Sequence, residues 1–68
     1  MAREWMREAR EKTGKTMATV AKELNISESY YCTIENGQRM RRLDIQFAMA
    51  LADSLRIPIK RILDEEAK

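Results

Sequence analysis

Cys32 is the only cysteine in this chain, and histidine does not occur at all. Those two facts limit the fold more than anything else in its 68 residues. No internal disulfide can form, and there is no ligand set for a structural zinc. A chain this short buries only about 60% of the surface that its unfolded form exposes. Without a covalent or metal staple it must be held by close packing, by oligomerisation, or by both. Three residues in all are Gly or Pro, and 44% are apolar. That is too poor in turn formers for a small β-barrel and too apolar for a disordered tail. The expected fold is all-α: one compact helical domain, residues 1–64, with a C-terminal tail at 65–68 that frays.

The spacing of apolar residues divides the chain into five helices. Trp5, Met6 and Ala9 form one stripe, which predicts a first helix from Ala2 to Lys12 with Gly14 as its stop. Thr16 caps a second, Met17 to Leu24, whose inner face is Val20, Ala21 and Leu24. Asn25 tolerates the left-handed backbone of a tight exit. Ser27 caps a third, Glu28 to Glu35, closed by Asn36-Gly37. At about 100° per residue, Tyr31 and Ile34 point to one side of it and Ser29, Cys32 and Thr33 to the other. Glu28 lies at the edge and Tyr30 between the faces. Asp44 caps a fourth helix, Ile45 to Leu55, with Phe47, Ala48, Leu51, Ala52 and Leu55 inward. Pro58 opens a fifth that ends near Asp64, with Ile59, Ile62 and Leu63 as its apolar positions.

Charge is distributed unevenly. Residues 16–35 carry one base and three acids, whereas residues 36–43 carry Arg39, Arg41 and Arg42 and no acid. A net charge of +2 therefore conceals a concentrated basic loop after the third helix. Catalysis has no residues to use: no histidine for Ser-His or Cys-His chemistry, no metal set, no glycine-rich phosphate loop. No cofactor or small-molecule ligand is implied. A charged N-terminus and the lack of an apolar run of about 18 residues exclude a signal peptide and a membrane span. One unpaired cysteine fits the cytoplasm.

What remains is geometric. Two short helices joined by the turn Asn25–Ser27, with small Ala21 at their crossing, make a helix-turn-helix. The stretch TMATVAKELNISESYYCTIENGQR resembles the helix-turn-helix of the lambda repressor and Cro family, also called the xenobiotic-response-element type. "IENG" after a helix that opens with "IS" is a specific signature. The resemblance extends from about Trp5 to Leu63, and LRIPIKRIL fits the end of that fold. It implies a five-helix, lambda repressor-like DNA-binding domain with a central helix-turn-helix.

The resemblance also implies roles. Glu28, Ser29 and Thr33 fall where the family places base-reading side chains. Asn36 and the loop after it, with Gln38, Arg39, Arg41 and Arg42, fall where phosphates are held; Tyr30 can reach a phosphate as well. Arg10 falls on an arginine that pairs with the glutamate standing here as Glu35. The chain departs from the pattern at Met17, where a phosphate-bracing Gln is usual, at Lys15 (usually Leu), and at Asn25 and Arg56 (both usually Gly). Its basic loop is longer than usual.

The expected function is that of a sequence-specific, repressor-like regulator of transcription whose partner is a double-stranded operator. Phosphate contacts supply most of the affinity and base contacts the specificity, so an acidic recognition helix can work beside a basic loop. With no room for an effector domain, a complete small protein of this kind would homodimerise through Ile59, Ile62 and Leu63. The rival reading is a protein-interaction module on the same scaffold with DNA binding weakened or lost. Met17 and the acidity of residues 16–35 favour that rival.

Overall fold

A computed structural model describes residues 2–38 and 43–67. Among them are five helices and no strand: α1 (Glu4–Lys12), α2 (Met17–Glu23), α3 (Glu28–Glu35), α4 (Ile45–Leu55) and α5 (Ile59–Glu66). The starts of α2, α3 and α4 follow from side-chain chemistry. The first amides of a helix lack internal partners. The Thr16 hydroxyl accepts one from Thr19 at 3.1 Å, the Ser27 hydroxyl one from Tyr30 at 3.1 Å, and the Asp44 carboxylate one from Gln46 at 2.9 Å.

The helix ends are equally local. After α2, Asn25 takes φ +62°, and the Ile26 amide returns to the Ala21 carbonyl at 2.9 Å. After α3, Gly37 takes φ +75°, and the Gln38 amide returns to the Thr33 carbonyl at 2.8 Å. In both, the last carbonyls are satisfied by a left-handed residue and the amide after it. Arg56 plays that part after α4 at φ +57°. An arginine there carries strain of about 1 kcal/mol that glycine would not.

Every helix contributes to one core. Met6, Ala9, Val20, Ala21, Tyr31, Ile34, Ala48, Leu51, Ala52, Leu55 and Ile62 are buried. Trp5, Met17, Leu24, Ile26 and Phe47 close over its edges. The inward assignments made for α2, α3 and α4 coincide with these residues. Core side chains of this kind contribute about 1.5–3 kcal/mol each relative to exposure.

Three expectations need correction. The first helix begins at Glu4, not Ala2: Arg3 has non-helical angles (φ −90°, ψ +76°), and its amide donates to the Glu35 carbonyl at 2.8 Å. The fifth helix, expected to end near Asp64, runs on to Glu66. It is held there by the Arg3 guanidinium, which grips the Glu66 carboxylate at 2.9 and 3.2 Å. Ile62, assigned to a dimer surface, is fully buried in its own core and has no area to offer a second copy.

Candidate nucleic-acid interface

Helix α3 is built to present one face and bury the other. Tyr31 and Ile34 are 0% exposed and Glu35 6%, which fixes how the helix is rotated about its own axis. Its remaining face turns outward. Glu28, Ser29 and Tyr30 are exposed; Thr33 and Cys32 are half-buried. Ser27, Ser29, Tyr30 and Thr33 line a shallow depression on this face. The Thr33 hydroxyl donates to the Tyr30 carbonyl at 2.7 Å, and the Asn36 side-chain Nδ2 donates to the Cys32 sulfur at 3.4 Å. Glu28 makes no ion pair among the described residues. It stands at the first turn of α3, where the helix dipole favours a carboxylate.

The far end of α3 is anchored by two arginines. Arg10 on α1 grips the Glu35 carboxylate with two hydrogen bonds, at 3.0 and 3.2 Å. Its third nitrogen donates to the Lys15 carbonyl at 3.2 Å. The two side chains are only 11% and 7% exposed. Hydrogen bonding to Glu35 raises the Arg10 pKa, against the opposing effect of burial. Arg3, 7% exposed, donates to the Ile34 carbonyl at 2.7 Å while it holds Glu66. Both side chains thus turn buried charge into fixed geometry at the last turn of α3. Neither the burial of Arg3 nor its contacts with Ile34 and Glu66 could be read from the sequence, since those partners lie 31 and 63 residues away.

The Tyr31 hydroxyl is buried beside this pair and makes no hydrogen bond of good geometry. Burial pushes its pKa up, and the Glu35 charge adds to the effect. Helix α2 is positioned by a second polar cluster. The Lys15 ammonium donates to the Glu23 carboxylate at 2.8 Å and to the Ser54 carbonyl at 2.7 Å, and the Ser54 hydroxyl reaches the same carboxylate at 2.6 Å. Lys15, an unusual residue for its position, therefore ties α2 to the end of α4. The Lys15 and Ser54 hydrogen bonds, in that order, hold the Glu23 carboxyl below the usual range.

The structure brings Glu28, Ser29, Tyr30 and Thr33 to one outward face, with Asn36 and Gln38 exposed just beyond it. Arg39, Arg41 and Arg42 lie outside the described residues. On α5, Leu63 is 51% exposed and Ile59 half-buried. Met17, at the position where the family's Gln braces a phosphate, packs against the core. No group of His, Cys, Asp and Glu among the described residues is placed to hold a metal ion. No helix among the described residues is long and apolar enough to cross a membrane.

A short helix capped by Thr16, a left-handed turn at Asn25 and a second helix capped by Ser27 define an all-α helix-turn-helix domain. A family model described as helix-turn-helix matches residues 6–62, and the chain belongs to that family, of the lambda repressor and Cro type. Comparisons with curated proteins and with solved structures return no match. Membership supports a DNA-binding regulator in general.

Proposed function

We propose that this protein is a repressor-like, sequence-specific regulator of transcription that lays α3 in the major groove of its operator. One observation carries the reading. The face of α3 that bears Glu28, Ser29 and Thr33 is left open, while its other face and its far end are fixed by the core and by Arg10 and Arg3. Side chains that read bases must be held within a fraction of an ångström, and a clamped helix does this. Glu28 accepts from the amino group of a cytosine; Ser29 and Thr33 contact bases on either strand. Tyr30, Asn36 and Gln38, with the loop arginines Arg39, Arg41 and Arg42, grip the backbone. Two copies, joined at a surface that includes Leu63 and the edge of Ile59, address half-sites about one helical turn apart. The protein works in the cytoplasm.

Selection of bound sequences from a random duplex pool tests this directly. The expected result is one enriched, two-fold related site. Alanine at Arg41 or Arg42 weakens all duplexes alike, and alanine at Ser29 or Thr33 changes which sequence wins. No enrichment at low salt would favour the rival, a protein-interaction module on the same scaffold.

A further inference from the structure

A groove of about 340 Å³ runs between the end of α1, the α4–α5 turn and α5. None of its lining residues belongs to α2 or α3. Among its lining residues Ile57 is half-buried, Ala9 and Leu55 lie almost fully covered, and Lys12, Arg56 and Arg61 bring positive charge with no carboxylate among them. Arg61 has Glu65 at a loose 3.8 Å, and Lys12 and Arg56 form no ion pair among the described residues.

Two bland explanations fall short. Residues at the ends of α1 and α4 line this groove, and basic residues at helix ends offset helix dipoles. Each dipole supplies only about half an elementary charge, so three cations overcompensate. Nor is the turn made for arginine. Arg56 sits at φ +57°, ψ +43°, a conformation that favours glycine. An arginine kept beside a groove in a backbone conformation that strains it points to a use for its side chain.

We infer that this groove docks an acidic peptide segment of a partner protein, one with an apolar side chain set among its carboxylates. The three cations match the carboxylates, and the accessible edge of Ile57 takes the apolar side chain. A DNA backbone would use the cations but leave Ile57 uncovered. The contact lies apart from α3, so the partner could engage the protein while it is on its operator.

The test uses the full chain and a synthetic acetylated peptide, Asp-Glu-Leu-Asp-Glu, with Asn-Gln-Leu-Asn-Gln as its neutral control. Amide chemical shifts are followed during titration. The acidic peptide should produce saturable shifts at Lys12, Arg56, Ile57 and Arg61, and the neutral one should not. Arg56→Gly should weaken binding about fivefold, the loss of one partly exposed ion pair, while the melting temperature rises because the backbone strain is relieved. Arg7→Ala, which removes an exposed cation that does not line the groove, should leave binding unchanged. The proposal is overturned by the absence of saturable shifts, by equal binding of the neutral peptide, by full binding to the Arg56→Gly variant, or by an equal loss in Arg7→Ala. A DNA duplex that shifts the same four residues more strongly than the peptide would also overturn it, and would make the groove a phosphate-binding surface.

Discussion

The pair between Arg10 and Glu35 offers the sharpest perturbation, because its cost can be worked from its geometry. Both side chains are about nine-tenths buried and joined by two hydrogen bonds. Removing one partner of such a pair leaves a buried charge uncompensated, which costs about 3–5 kcal/mol. In Glu35→Ala, Arg10 would keep its bond to the Lys15 carbonyl, which places the loss at the low end, about 3 kcal/mol. A domain of 68 residues at about 0.05–0.15 kcal/mol per residue has roughly 3–10 kcal/mol in total. Glu35→Ala should therefore remove a third or more of the stability. Replacing both partners with apolar residues of similar volume, Arg10→Met with Glu35→Leu, should come out close to neutral. Urea unfolding followed by circular dichroism, completed as a double-mutant cycle, measures this. Single variants that each lose less than about 1 kcal/mol, the range of exposed pairs, or losses that simply add, would refute the reasoning. The pair would then be an ordinary surface contact, and the clamp on α3 would have to come from Arg3 alone.

Other expectations are simpler. Tyr31→Phe removes a buried hydroxyl that makes no good hydrogen bond, so it should stabilise by about 1 kcal/mol. In a domain this size that raises the melting temperature by about 4–8 °C; a lowered melting temperature would mean the hydroxyl is bonded after all. The Glu23 carboxyl has its pKa depressed by Lys15 and Ser54. Its contribution is thus present above the ordinary carboxylate pKa and is lost as pH falls through the lowered one. Glu23→Gln should make thermal stability less dependent on pH below about 4.5, and an unchanged acid limb in the melting curve would count against the cluster. The loop arginines should make DNA affinity fall with a slope near −3 in log salt for each protomer, about −0.9 per phosphate contact, and Arg42→Ala should reduce that slope by about one.

The sequence disclosed what is local. Ser27, Asp44 and Thr16 announce their helices because a side-chain oxygen within three residues is all that the first amides need. The bounds of α3 and α4 were legible for that reason, as was the inward set of α4, which follows from helical spacing alone. What depends on distant partners was not legible. Nothing near Arg3 indicates that it is buried, because its partners are the last turn of α3 and the acidic end of α5. The same ion pair extends α5 to Glu66. Ile62 was a plausible surface residue by spacing, since an amphipathic helix does not say which neighbour covers its apolar face. Lys15 departs from the family's leucine, and the reason is tertiary: its ammonium sits between the Glu23 carboxylate and the Ser54 carbonyl. The outward face of α3 was half legible: its direction follows from angle, whereas its rigidity comes from Arg10 and Arg3.

The most direct measurement of the central claim is backbone amide shift mapping of the protein with the duplex that selection returns. We expect the largest shifts at residues 28–33 and at Asn36, with the buried Arg10–Glu35 end of α3 unmoved. A complex that forms while residues 28–33 keep their free-state shifts would contradict the account.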